Sequence, residues 1–274
     1  MKRFEHIMIV SDMDGTFLGA GGALIPRNLE ALDYFRAEGG LFTFASGRSP
    51  DYIRLSVPHP EEMINLPAVA INGTCLYDYH KQEFVECCFL DSELTLRLVR
   101  WVRKNFDDIV IRGVGDGSVW MTNPKEPYFS KEFAPIKILS PKILDTEDWR
   151  GVSPFKLAFR GDRERIPMLW ERVEAEFGKE LSITQSGHEL LEVIPKGHSK
   201  GKAVLRLREK YGDRVSLLCT VGDYINDLEM HGVADLSVCP ANACEEVKKV
   251  CKLCLCNHKE GVIADLIEYL DRQV

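Results

Sequence analysis

The amino-acid sequence predicts an α/β protein: a doubly wound parallel sheet interrupted in mid-chain by an inserted α+β domain. Three observations carry this expectation. Short continuous apolar runs, HIMIV at residues 6–10, LFTFAS at 41–46 and AVAIN at 68–72, read as strands covered on both faces. A helical pattern separates the first two: Pro26 opens it, Leu29, Leu32 and Phe35 share a face, and Gly39-Gly40 closes it. The strand–helix alternation breaks near residue 80 and resumes near residue 197.

Between those points the rhythm is different. LTLRLVRWVRKNF (94–106) is helical, with Leu94, Leu98, Trp101 and Val102 on one face. DIVIRG, SVWMTN, FKLAFRG and LSITQ read as strands, and IPMLWERVEAEFG as a second helix. Paired strands with intervening helices suggest an antiparallel sheet. After it, VSLLCTVGD and LSVC read as strands, LEM starts a helix, and EGVIADLIEYL forms a final helix. The expected organisation is therefore a core of residues 1–82 and 187–274, with an inserted domain at 83–186.

Composition narrows the function classes. Apolar residues make up 45% and charged residues 28%, which favours a folded core over disorder. No apolar run approaches the ~18 residues of a membrane span. MKRFEHIMIVSD lacks the long apolar stretch and small-residue site of an export signal, so a cytoplasmic location is expected. Nine cysteines then read as reduced thiols. A net charge of -7 opposes a nucleic-acid partner, which needs a basic patch, but does not disfavour a small anion beside a bound cation.

The chemistry begins at IMIVSDMDGTFLG (7–19), where Asp12 and Asp14 follow an apolar strand. On an extended backbone residues i and i+2 point the same way, so both carboxylates would project beyond the strand end. Gly15 and Thr16 suit the tight turn that must follow. Such a pair is stable if a divalent cation sits between the carboxylates or if they share a proton, and both conditions suit phosphoryl transfer. A solvated Asp-rich turn is the plainer alternative.

Three other stretches favour the chemical reading. FASGRS sets Ser46 and the amides of Gly47 and Arg48 at a second strand end, where they suit phosphoryl oxygens. VGDYINDLEM ends a strand in Gly222-Asp223 and begins a helix with Asn226 and Asp227, a spacing that can grip Mg²⁺. PKGHSKGKAV offers Lys196 and Lys200, either able to neutralise phosphate charge. Asn72 follows a third strand end, the edge where α/β sheets gather ligands.

Taken in order, D-x-D-G-T, S-G-R, S-K-G and G-D-x-x-N-D-x-x-M resemble the haloacid dehalogenase superfamily. AINGTCLYD and PANACEEVKKVC…NHKEGV also fit its pattern. The length and position of the insert resemble the Cof-like sugar-phosphate phosphatases, whose large α+β cap (type C2B) lies between the second and third motifs. The resemblance implies a Rossmann-like core and an Mg²⁺-dependent hydrolase of small phosphate monoesters. Asp12 would be the nucleophile and Asp14 the general acid, then the base for water. Ser46 would bind the phosphoryl group, and Lys200 corresponds to the family lysine better than Lys196 does. Gly47, Arg48 and Asn72 would contact substrate. Mg²⁺ would be held by the Asp12 carboxylate, the Asp14 backbone carbonyl and Asp223, with Asn226 and Asp227 supporting this shell and orienting Lys200 or a metal-bound water. Mg²⁺ and Lys200 would keep Asp12 ionised, while Asp14 stays protonated until the leaving group needs its proton. The partner would be a small phosphorylated metabolite, with no nucleic acid and no membrane. A phosphomutase with the same aspartyl phosphate, or a non-catalytic phosphosugar-binding module, are the alternatives.

Other signals are weaker. CKLCLC clusters Cys251, Cys254 and Cys256, with His258 as a fourth zinc ligand, but the segment resembles the buried helix-to-strand stretch of the family core, and cysteine often serves as a small buried apolar residue. Cys87-Cys88 reads as strand, and His198 as a loop histidine. RGVGDGS has the wrong spacing for a dinucleotide fingerprint and reads as a turn between strands. Trp120 and Phe129 could line a pocket wall or belong to a core. Lys156 and Arg160 are substrate-contact candidates by charge and position alone.

Overall fold

A computed structural model describes residues 2–122 and 140–273; Phe129 lies outside the described residues. The chain forms two compact units, Met1–Glu86 with Ser199–Val274, and Cys87–His198.

In the first unit, β1 (Ile7–Ser11) is buried throughout because both faces of its apolar run are covered. Met8 and Val10 face Ala203, Val204 and Leu207, and Ile7 and Ile9 alternate to the other side. α1 (Pro26–Ala37) follows, and Gly39 stops it with φ +90°. β2 (Leu41–Phe44) turns Phe42 and Phe44 onto Phe17, with ring centroids 5.9 and 4.8 Å away. α2 (Pro50–Ser56) starts at Ser49, whose hydroxyl accepts from the Tyr52 amide. β3 (Ala68–Ala70), β4 (Cys75–Asp78) and β5 (Glu83–Cys87) form a small three-stranded sheet. A single parallel bridge from Ala45 to Val69 links β3 to the end of β2.

The second unit contains α3 (Ser92–Asn105), β6 (Val110–Val114), β7 (Val119–Met121), β8 (Lys142–Ile143), β9 (Lys156–Arg160), α4 (Arg165–Phe177), β10 (Leu181–Gly187) and β11 (Leu190–Pro195). Its six strands run in the order β10-β11-β9-β6-β7-β8, antiparallel except for β7 beside β8. Ile111, Leu157, Phe159, Leu191 and Val193 pack with Leu98, Val102, Leu169 and Val173 of the two helices. Sheet alternation sends Lys156 and Glu192 to the opposite face, where they form a buried ion pair. Gly113 and Gly115 lie against Trp120, where an added Cβ would meet its ring at 3.3 and 2.6 Å. RGVGDGS is thus the tight connection of β6 to β7, and Trp120 packs on the unit's core. β11 pairs with β9 and β10, so residues 187–198 belong to this unit and not to the core expected from residue 187 onward.

The chain then completes the first unit with α5 (Lys200–Tyr211), β12 (Leu217–Val221), α6 (Leu228–Gly232), β13 (Leu236–Pro240), α7 (Glu245–Val250), β14 (Leu253–Leu255) and α8 (Val262–Asp271). The five-stranded sheet has the order β14-β13-β12-β1-β2, all parallel, so the carboxyl ends of β1, β2 and β12 share one edge. α8 packs on α1 and is tied to it by an ion pair from Arg27 to Glu268 at 2.6 Å.

CKLCLC is not the buried stretch expected. β14 is an edge strand, Cys254 is exposed, and Cys251 and Cys256 are half-buried. His258 turns its Nδ1 to the Leu18 carbonyl at 2.7 Å, away from a zinc role. Among the described residues no helix is long and apolar enough to cross a membrane.

Candidate active site

β1 delivers Asp12 into the interior. Its amide donates to the Val221 carbonyl at 2.8 Å, which continues the β1–β12 ladder by one residue. The chain then leaves the extended path: Gly15 takes φ +73°, and Asp14 lies past the strand end. The two carboxylates therefore part, contrary to the simple strand extrapolation. Asp12 is buried, whereas the Asp14 side chain is 61% exposed and pairs with Arg48.

Lys200, first residue of α5, reaches the same point from the opposite direction. Its buried Nζ lies 2.6 Å from Asp12 Oδ1 and 2.7 Å from Asp227 Oδ1. Lys196, the other lysine of this stretch, donates to the Gly178 and Leu181 carbonyls in the second unit. The other Asp227 oxygen accepts from the amides of Asp223 and Tyr224 at 3.1 and 3.2 Å. Asp227 thus shapes the loop and aims Lys200. Gly222 is required there, since a Cβ would sit 2.5 Å from the Asp227 Cγ.

Asp12, Asp223 and Asp227 each bring a carboxylate oxygen within 4.8 Å of the others. One ammonium faces this surplus of negative charge. Burial pushes the Asp12 carboxyl well up; Lys200 opposes the shift, and Asp227, Asp223 and Asp14 add to it. Burial and Asp227 push Asp223 up to about 7. Lys200 is held above its ordinary value because Asp12 and Asp227 together outweigh the cost of burying it. An oxygen-only, desolvated, electron-rich set of this kind fits a hard divalent cation.

The remaining expected residues sit on neighbouring loops. Ser46 is buried after β2, and its hydroxyl accepts from the Arg48 amide at 3.2 Å. Gly47 lies between them. The Asn72 backbone N–H donates to the Ser46 carbonyl at 2.9 Å, and Asn72 Oδ1 accepts from Asn226 Nδ2 at 3.2 Å, so the Asn72 and Asn226 side chains meet. Asn72 lies in a strained turn: Ile71 and Asn72 both have φ +52°, costly for a β-branched residue and often associated with functional sites. Arg48 gives both carboxylate contacts to Asp14, at 2.7 and 2.6 Å, a pairing not expected from the sequence. Lys156 pairs with Glu192, and Arg160 with Glu189 at 3.2 Å.

Sequence reasoning missed two residues. Thr16 donates its hydroxyl to Asp223 Oδ1 at 3.1 Å, joining the two acidic loops. Asn242 donates to the Gly15 carbonyl at 2.8 Å and accepts from the His258 amide at 2.9 Å. The D-x-D-G-T stretch itself signalled Thr16; nothing local marked Asn242.

A family model described as haloacid dehalogenase-like hydrolase matches residues 9–267. The chain belongs to that family. This hydrolase is 25% identical over 268 residues to pyridoxal phosphate phosphatase YbhA of Escherichia coli K12, covering 95% of this chain and 97% of the relative. It is 23% identical to 5-amino-6-(5-phospho-D-ribitylamino)uracil phosphatase YwtE of Bacillus subtilis, covering 96% and 97%. Its fold is shared with a haloacid dehalogenase-like hydrolase from Bacteroides thetaiotaomicron: TM-score 0.79, 23% identity, and coverage of 96% and 98%.

Proposed function

We propose that this hydrolase cleaves small phosphate monoesters, sugar phosphates foremost, through an aspartyl phosphate on Asp12. One observation carries the reading: a buried carboxylate, Asp12, is held at the sheet edge by a buried ammonium, Lys200, within an oxygen-only acidic cluster. A desolvated carboxylate fixed by one oxygen presents the other for attack. The phosphatase names of the relatives support the substrate class.

Asp12 would attack phosphorus as the ester oxygen leaves, and Asp14 would give that oxygen its proton. Lys200 and the Ser46 hydroxyl would neutralise and orient the phosphoryl oxygens. Asp14, now a base, would take a proton from the water that cleaves the aspartyl phosphate and frees Asp12. Mg²⁺ fits the donor set; Asp12, the Asp14 carbonyl and Asp223 would hold it, and it would supply charge neutralisation to the phosphoryl group. Asp227 would aim Lys200, and Asn226 would brace Asn72. The inserted domain would select substrate as a cap. A cytoplasmic location accords with nine free thiols.

The test is free-phosphate release from a panel of sugar phosphates, nucleotides and other small esters, with Mg²⁺ or chelator and with Asp12→Asn as the blank. Release that needs both Mg²⁺ and Asp12 is expected. Phosphate that stays on an organic product would replace hydrolysis by mutase chemistry, and release indifferent to Asp12→Asn would overturn the site assignment.

A further inference from the structure

Arg48 was expected from the sequence to contact substrate, yet its side chain is committed elsewhere. Nε and Nη2 donate to the two oxygens of Asp14 at 2.7 and 2.6 Å. Nη1 donates to the Tyr52 carbonyl at 3.4 Å and to the Ser56 hydroxyl, both on α2. The guanidinium also lies 5.1 Å from the centroid of the Tyr52 ring. All three nitrogens are therefore engaged within the chain. The backbone is fixed as well: the Arg48 carbonyl accepts from the Ile71 amide at 3.0 Å, and its amide donates to Ser46 Oγ at 3.2 Å.

A fork-to-fork pair sets both the direction and the plane of a carboxylate, which a single donor cannot do. Asp14 needs such a support. It follows the end of β1, it is exposed, and the next residue has φ +73°. Among the described residues Arg48 supplies the hydrogen bonds of the Asp14 side chain, and it ties them to α2 through the Tyr52 carbonyl and the Ser56 hydroxyl.

We propose that Arg48 is a positioning residue that acts through Asp14 and not a ligand of the substrate phosphate. The inference rests on the reading of Asp14 as general acid and base. As the Asp12–phosphorus bond forms and the ester bond breaks, the Asp14 proton passes to the leaving oxygen. As water then attacks phosphorus and releases Asp12, its proton passes to Asp14. A guanidinium only donates, so Arg48 fixes the carboxyl group without itself taking or giving the proton. The fork thus holds the Asp14 carboxyl group in one rotamer and one plane.

The test compares kcat/KM for glycerol phosphate, whose alkoxide must be protonated to leave, with that for para-nitrophenyl phosphate, whose leaving group needs no proton. Wild type, Asp14→Asn, Arg48→Ala, Arg48→Lys and the double variant Asp14→Asn/Arg48→Ala are measured, with circular dichroism to confirm folding. Arg48→Ala should lower the value for the alkyl ester by about 10–100-fold and for the aryl ester by under about 3-fold, since misplacing a proton donor costs on this order. Arg48→Lys should recover part of the loss, and the double variant should be no worse than Asp14→Asn alone. A KM that rises equally for both esters, with losses that multiply in the double variant, would make Arg48 a substrate ligand and overturn the proposal. If Asp14→Asn itself shows no difference between the esters, the acid–base reading of Asp14 fails first, and the role of Arg48 falls with it.

Discussion

Lys200 Nζ sits 2.6 Å from Asp12 Oδ1 with its side chain fully buried, and Asp227 holds the same ammonium from the other side at 2.7 Å. Removal of the cation would leave two buried carboxylates uncompensated. Lys200→Met should therefore destabilise the metal-free protein by about 3–5 kcal/mol, the usual result of breaking a buried pair. Turnover should fall by at least about 100-fold, as for loss of one fixed charge at a reacting phosphoryl group. Urea denaturation in chelator and phosphate release measure the two effects. A variant as stable as wild type would show that Lys200 does not offset the acidic cluster.

Gly15 separates the two acidic loops by the width of a hydrogen. A Cβ there would lie 2.5 Å from Asp223 Oδ2, and φ +73° disfavours any side chain. Gly15→Ala should displace Asp223 while leaving the buried sheet intact. The expected result is a normal circular dichroism spectrum with at least about 10-fold weaker Mg²⁺ binding, on the scale of losing one support of a metal site. Calorimetric titration with Mg²⁺ checks it, and unchanged affinity would remove Asp223 from the metal set.

The second unit offers its own test of pH dependence. Arg165 donates to both oxygens of Asp108 at 2.8 and 2.9 Å and holds its carboxyl below the ordinary aspartate range. A lowered folded-state value adds stability that is fully present above the unfolded value and is lost as pH falls through the folded one. Both side chains are 33% exposed, so solvent screening limits the pair to under about 1 kcal/mol. Asp108→Asn should lower the urea midpoint slightly near neutral pH, and the difference from wild type should vanish in acid. A difference that persists in acid would assign the effect to something other than the charge.

Much of this was legible because its physics is local. A strand covered on both faces is apolar at nearly every position, which exposed β1, β2, β3, β12 and β13 as short runs. Asp12, Lys200, Asp223 and Asp227 stand at the ends of such elements, and the structure gathers them at one sheet edge. What escaped was long-range. β11 carries Glu192 in the middle of an apolar run, and that charge makes sense only beside Lys156, 36 residues away. Arg48 meets Asp14 across 34 residues, a pairing that no local pattern announced. The Asn242 amide meets Gly15 across 227 residues, with no local pattern to announce it. CKLCLC was expected to be buried from its family resemblance and its small thiols, but β14 is an edge strand and leaves Cys254 exposed.

The covalent role of Asp12 is best tested by acid-quenching the protein during turnover of a phosphorus-labelled sugar phosphate and mapping any label by peptide mass spectrometry. Asp14→Asn serves as the trap, since slowed dephosphorylation should let the intermediate accumulate. The prediction is one hydroxylamine-labile phosphoryl group per chain, on Asp12, absent from Asp12→Asn. Turnover without covalent label at any quench time, or label on another residue, would contradict an aspartyl phosphate at Asp12.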